Sequence, residues 1–345
     1  MSKDAPPPRT WPLVPRTIRG PRQWLLLMRL LVIGAVLILI LPSCQPPQGP
    51  GPQPSPPPVS LAPPPVPPTY QRRGDEISIA GWLFHTGAPV VLWSDPGGLN
   101  GYAGENLAHP RKFGYRTDAA GHIVRGNLNA LRQVVDQFVL HYDGSGTSKR
   151  CFAALVHRGL SVHFMLDLDG TIYQMLDVQE KAYDATIANN RSVGVEIANI
   201  GAFEPGTSNK LGQWYYLARD GHTYLRVPPG EERLGNYAYK PMRDQPIQGV
   251  IQGRLLQQYD FTPQQYDSLI KLTAVLCTQL PRIRCDYPRD SLGRLYPAKL
   301  PNYYLARYSG ILGHFHIQTD KTDPGPAMQW NYLIAGARRL MALGY

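Results

Sequence analysis

Cysteine is scarce in this chain, with four in 345 residues, and no two of them form a CxxC pair. A zinc cluster built on thiolates is thereby excluded. No block of lysine and arginine interleaved with aromatics occurs, which argues against nucleic acid as a partner. No internal repeat is present, so the globular part reads as one domain. Charged residues make up only 17% against 43% hydrophobic, enough apolar side chain to bury a full core.

Proline is the residue in excess. Thirty-five are too many for one compact fold of this size, and thirteen of them fall between Pro46 and Pro68. Such a stretch is extended polyproline II, reaching roughly 70 Å at about 3.1 Å per residue, and acts as a spacer. Ahead of it, Lys3, Arg9, Arg16, Arg19, Arg22 and Arg29 precede an unbroken apolar run from Leu30 to Leu41. That is a signal-peptide pattern; counted from Trp24, with Arg29 snorkelling, the alternative is a thin transmembrane anchor. Leu41-Pro42-Ser43-Cys44 resembles a lipobox, in which cleavage before the cysteine leaves a lipid-modified N-terminus, although Pro42 departs from the usual pattern. The expected organisation is therefore a lipoprotein-type signal peptide over 1–43, a lipidated Cys44 and Pro-rich linker over 44–74, and a globular domain over 75–345. Both readings of the leader put that domain outside the cytoplasm, in the cell envelope and held to the membrane.

Removing 1–43 also halves the charge. Of the formal +10, the leader carries six basic and one acidic residue, leaving about +5, an excess that suits an anionic cell-wall polymer or a membrane surface. With Cys44 acylated, Cys151, Cys277 and Cys285 remain for an oxidising compartment. Cys277 and Cys285 flank the end of one expected helix, so a local disulfide between them is geometrically plausible, with Cys151 then a buried thiol.

From about Asp75 the pattern is strands alternating with helices, an α/β fold. Phe138–Tyr142 (FVLHY) is a short strand ending on a histidine, 161–176 a hairpin turned at Asp169-Gly170, and Ser192–Ile200 another strand. In YDFTPQQYDSLIKLTAVLCTQL, Thr262 is the N-cap, Pro263 the first helical residue and Gln265 the third, ahead of an apolar face of helical period. Ile311–Phe315 is the final strand, and the last helix starts at Pro326. Two regions fit poorly and read as elaborations: an N-terminal extension (75–129) and an insertion (203–257). In the second, a hairpin around Asp220-Gly221 carries Trp214, Tyr215, Tyr216 and Tyr224, which either cover the core or line a groove.

The chemistry is concentrated at strand ends. His141 ends one strand, Glu196 sits within another and His314 ends a third, so in one sheet they converge on a rim. Asp323 follows His314 by nine residues, across Pro324-Gly325-Pro326. Two imidazoles and a carboxylate form a three-ligand zinc set with a position left open, as a hydrolytic site requires. Amide hydrolysis needs two further groups. Glu196, framed by Val195 and Ile197, supplies a carboxylate of raised pKa to take a proton from the attacking water. Lys321, two residues before Asp323, supplies a cation for the oxyanion.

Together these segments resemble the zinc-dependent N-acetylmuramoyl-L-alanine amidases, the family that includes phage amidases and the peptidoglycan recognition proteins. FVLHYDG, LSVHFMLDLDGTIYQML, NRSVGVEIANIG, FTPQQYDSLIKL and GHFHIQTDKTDPGPAMQW fall in the family's order over roughly 130–202 and 258–337. The resemblance implies a single domain with a central mixed β-sheet flanked by helices and a zinc site in a groove at the strand ends. It implies His141, His314 and Asp323 as Zn2+ ligands, Glu196 as catalytic carboxylate and Lys321 as oxyanion partner. The implied substrate is peptidoglycan or a muropeptide, cut between N-acetylmuramic acid and L-alanine in wall remodelling or recycling. The alternative is a non-catalytic peptidoglycan-binding module of the same fold, since members without a complete ligand set bind the peptide stem uncut. Nothing in the sequence reports oligomeric state.

Two departures stand out. Where many members carry Trp-His-Ala after the hairpin, this chain has Ala182-Tyr183-Asp184-Ala185 and lacks the usual histidine, which puts glycan or peptide preference in doubt but not the ligands. His316 occupies a position that is often acidic; His314, after a glycine and at the family's distance from Lys-x-Asp-Pro-Gly, is the better ligand. His163 reads as a structural or groove-wall residue, and His85, His109, His122, His157 and His222 as surface or loop residues.

Overall fold

Three apolar segments, QFVLHY, SVGVEI and GILG, lie side by side as parallel strands because both faces of each are covered, which a run without polar alternation demands. The computed structural model describes residues 72–103, 112–231, 234–235 and 237–344. The leader, Cys44, the linker as far as residue 71 and His109 lie outside the described residues. In chain order the first elements are β1 (Glu76–Ile79), β2 (Trp82–His85), β3 (Val90–Leu92), β4 (Phe113–Thr117), β5 (Ile123–Val124) and α1 (Leu128–Val134). There follow β6 (Gln137–Tyr142), α2 (Ser148–His157), β7 (Phe164–Leu166), β8 (Ile172–Gln174), β9 (Glu180–Ala182) and β10 (Ser192–Ile197). The remainder is α3 (Lys210–Trp214), β11 (Tyr215–Leu217), β12 (Thr223–Leu225), β13 (Ile247–Ile251), β14 (Arg254–Gln258), α4 (Pro263–Gln279), α5 (Asn302–Leu305), β15 (Gly310–Gly313) and α6 (Trp330–Ala342).

The central sheet has the order β15-β6-β10-β7-β8-β3. Every neighbouring pair is parallel except β7–β8, the hairpin turned at Gly170, whose φ of 83° needs a glycine. This is a mixed α/β sheet flanked by helices. Strand alternation separates its faces. Phe138, Leu140, Val193, Val195 and Ile197 pack with Leu269, Leu272 and Leu276 of α4 and Leu333 of α6. Val139 and Leu312 face the other way, onto Leu300 and Leu305. His141 shares the parity of Val139, so the site lies on the face away from α4 and α6.

Helix α4 begins as expected. Thr262 Oγ1 accepts from Gln265 N–H at 3.1 Å, and Gln265 Oε1 accepts from Thr262 N–H at 2.8 Å. Elsewhere the structure corrects the reading. The last helix starts at Trp330 rather than Pro326, because Ala327 N–H is drawn to Gln258 Oε1 and Gln329 N–H to Tyr266 Oη, which holds the segment before it as a turn. The final strand stops at Gly313, and His314–His316 form a 3-10 turn. The front segment is more than an elaboration: β3 is an edge strand of the central sheet, Ile77 and Ile79 are fully buried in the main core, and β4 pairs with β9. Within 203–257, the hairpin at Gly221 buries Tyr215 against Leu168 and Ala198 and stacks it on Tyr259 at 4.1 Å, so this aromatic covers the core, whereas Tyr216 faces out. Cys151 is a buried thiol as expected, whereas Cys277 and Cys285 are free thiols and do not form the local disulfide considered above. No helix among the described residues is long and apolar enough to cross a membrane.

Candidate active site

Register builds the site. Glu196 lies opposite His141 in the β10–β6 ladder, and Gly313 opposite Leu140 in β15–β6, so His314 follows directly beside His141 at the carboxyl ends of three parallel strands. Ligand sites of open α/β sheets form at such ends. Gly313 permits the turn: a β-carbon there would press on Pro324 and on the Phe315 ring. Asp323 arrives across that turn, which Gln258 braces by donating to the Pro324 carbonyl at 3.1 Å.

Three electron-rich atoms meet. His141 Nδ1 lies 2.8 Å from Asp323 Oδ2, His314 Nδ1 lies 3.0 Å from the same oxygen, and the two Nδ1 atoms are 3.0 Å apart. A second tie fixes the His314 ring, since Nε2 donates to Gln318 Oε1 at 2.7 Å and leaves the Nδ1 lone pair facing the cluster. One shared proton satisfies only one side of such a triangle; a cation satisfies all three. Donors about 2.0–2.1 Å from a tetrahedral zinc lie roughly 3.3 Å apart, so the group fits that ion after a small expansion. Burial works against charge on Asp323, but the two imidazoles outweigh it and hold the carboxyl well below the usual range. His314 is correspondingly raised: burial alone would lower it, but Asp323 and the hydrogen bond to Gln318 together outweigh that.

Residues 131–326 match the Amidase_2 family, N-acetylmuramoyl-L-alanine amidase. The chain belongs to this family. Among solved structures it is similar to AmiD of E. coli in complex with anhydro-N-acetylmuramic acid-L-Ala-D-γ-Glu-L-Lys, at 17% identity and TM-score 0.33, over 64% of this chain and 65% of that one. It thus spans just under two thirds of that structure. It is also similar to a selenomethionine form of AmpD (17%, TM-score 0.27, 64% and 80%) and to the endolysin amidase LysCS of Clostridium intestinale URNW (16%, TM-score 0.32, 60% and 86%). No curated protein sequence matches.

In this Amidase_2 chain the donor triangle lies in a cleft of about 320 Å³ whose lining includes Glu196, Lys321, Asp184 and Tyr183. Glu196 is half-buried, and its Oε2 has no hydrogen-bond partner among the described residues. Loss of water, then Asp323, Asp143 and Asp184, push its pKa well above the ordinary carboxylate range, with Lys321 opposing. Lys321 is one-third exposed, 3.9 Å from Asp320. The wall beside it is tied by Tyr142 Oη to Thr322 Oγ1 at 2.6 Å.

The other histidines lie apart from the cluster. His316 is buried two residues from His314 but turns back, Nδ1 accepting from Gly313 N–H at 2.9 Å and Nε2 donating to the Tyr296 carbonyl at 2.8 Å; burial lowers its pKa to about 3. His163 accepts from Gly194 N–H through Nδ1 and faces the Glu180 carbonyl through Nε2, a structural cross-link between strands. His85, His122 and His222 are exposed beside Asp75, Asp118 and Asp244, and His157 is exposed at the end of α2. Two supporting residues escaped the sequence reading. Gln318 stands four residues after His314, a spacing that signals a partner only once the helical turn is known. Arg116, fully buried, carried no signal at all.

Proposed function

We propose that the chain hydrolyses the amide between the lactyl group of N-acetylmuramic acid and the L-alanine of the peptide stem, with zinc as cofactor. The observation that carries this reading is the His141–His314–Asp323 triangle in a cleft shared with Glu196 and Lys321, in a chain of this family. Those three side chains would hold zinc, which when bound would supply Lewis acidity for the carbonyl and the water. Glu196 takes the proton of the attacking water as the new C–O bond forms and delivers it to the alanine nitrogen as the C–N bond breaks. Its high affinity for a proton suits the delivery, and the Lys321 charge favours the ionised form it needs beforehand. The Lys321 ammonium stabilises the carbonyl oxygen as negative charge grows on it. The products are a muramic acid carboxylate and a peptide with a free L-alanine amine. Mass spectrometry of muropeptides after incubation tests this: intact stem peptide leaving the muramic acid is expected, and cleavage only within the stem or the glycan contradicts it.

The same reading places the enzyme in the cell envelope, with residues 1–43 removed, Cys44 lipidated and 44–74 tethering the amidase domain; Leu41-Pro42-Ser43-Cys44 and the proline run motivate it. Cys44→Ser should release the protein from membranes or block maturation, and unchanged retention at unchanged mass would favour an uncleaved anchor.

A further inference from the structure

Asp184 follows β9 and its side chain is only 3% exposed, yet neither carboxylate oxygen has a hydrogen-bond partner among the described residues. An unpaired buried carboxylate is costly to fold and normally finds a donor or stays at the surface. Here the surroundings are built to hold it. It packs onto Gly194 of β10, where a β-carbon would overlap the carboxylate, so the strand gives up a side chain to make room.

Arg116 of β4 is close enough to act on it electrostatically. This guanidinium is fully buried and donates to the carbonyls of Val178, Asn189, Asn190 and Ser192 at 2.7 to 3.1 Å. Its charge therefore stays fixed in place; burial pushes the Asp184 carboxyl up, and His141, His314 and then Arg116 oppose that. Ahead of Asp184 is the back of a metal-site imidazole: Oδ2 lies 3.8 Å from His141 Nε2, itself buried with no hydrogen-bond partner among the described residues. Negative charge behind an imidazole favours the tautomer with hydrogen on the near nitrogen. For His141 that is Nε2–H, which leaves the Nδ1 lone pair on Asp323 and His314.

We propose that Asp184, seated on Gly194 and facing His141 Nε2, is the positioning residue for His141, holding its ring in the Nε2–H tautomer so that Nδ1 faces the metal position. This rests on the zinc reading above. Asp184 touches no reacting atom in this account and acts only through His141.

Zinc affinity of the full chain, measured by competition with a chromophoric chelator, tests it alongside the melting temperature of the metal-free protein. Asp184→Leu should bind zinc about 10- to 100-fold more weakly, while the metal-free protein melts at the same temperature or higher, because an unpaired buried charge has gone. A merely structural Asp184 would lower both together. Asp184→Asn, nearly isosteric, keeps an acceptor and should lose less affinity than the leucine variant; it serves as the test if the latter does not fold. Long-range nitrogen–proton spectra of the metal-free wild type should report His141 as Nε2–H. Wild-type affinity in both variants, or a His141 Nδ1–H tautomer, overturns the proposal and leaves the zinc reading standing. A wild-type protein that binds no zinc overturns both.

Discussion

The two ends of the same three strands are built oppositely. Asp136, Arg191 and Ser309 form a row just before β6, β10 and β15; His141, Glu196 and His314 form the row five residues later. In the first row pairing is complete: Arg191 grips Asp136 through Nε at 2.6 Å and Nη2 at 2.5 Å, and Ser309 Oγ donates to the same carboxylate. In the second, His141 Nε2 and Glu196 Oε2 are buried without partners among the described residues, and three donor atoms crowd one point. Strand geometry is common to both ends. What differs is whether polar groups are satisfied by the protein or left for something else, and the unsatisfied end is where chemistry belongs.

Substitutions at the two rows should therefore separate turnover from stability. The largest effect expected is on turnover from Glu196→Gln, which keeps shape but cannot take a proton: a fall of about 10²- to 10⁴-fold with zinc retained. Lys321→Ala should cost roughly 10²- to 10³-fold by removing the oxyanion partner, also without loss of zinc. Steady-state kinetics with metal analysis checks both, and near-normal turnover in Glu196→Gln would remove it as the base. At the other end, Asp136→Ala removes the carboxylate that Arg191 and Arg282 face, and because Arg191 keeps the Ala306 and Tyr308 carbonyls it should cost about 1–3 kcal/mol of stability in urea unfolding. Turnover per folded molecule should stay near wild type. A parallel loss of activity would show that the ends are not independent.

The smallest effect expected concerns pH and the cross-link beneath the site. Burial first, then Arg116, lowers the His163 pKa to about 3 in the fold, while an unfolded imidazole titrates near its usual 6.5. Between those values the unfolded chain binds the extra proton, so this contribution is complete above about pH 6.5 and is lost as pH falls toward about 3. His163→Gln should flatten the dependence of unfolding free energy on pH in that window by up to one proton, measured by denaturant titration at several pH values. An unchanged slope would mean that His163 is charged in the fold.

How much of this was legible beforehand followed the range of the interaction. The α4 cap is local, and Thr262, Pro263 and Gln265 announce it by spacing alone. His141, Glu196 and His314 could be read as converging because each sits at or near the end of an apolar strand and parallel register does the rest. The start of α6 could not be read, because Gln258 and Tyr266, distant in sequence, take up the amides that would begin a helix at Pro326. Asp184 appeared only as a missing histidine, and its setting depends on Gly194 and Arg116 from two other strands. The front segment looked dispensable because its strands are short and rich in turns, yet it supplies both an edge of the sheet and Arg116.

The central claim is that His141, His314 and Asp323 hold one catalytic zinc. Its most direct test is the metal content of the purified protein, with muropeptide hydrolysis followed through chelation and re-addition of zinc. The account predicts about one zinc per chain, loss of hydrolysis on chelation, recovery with zinc, and neither metal nor activity in His141→Ala. Full hydrolysis after long dialysis against excess chelator would contradict it.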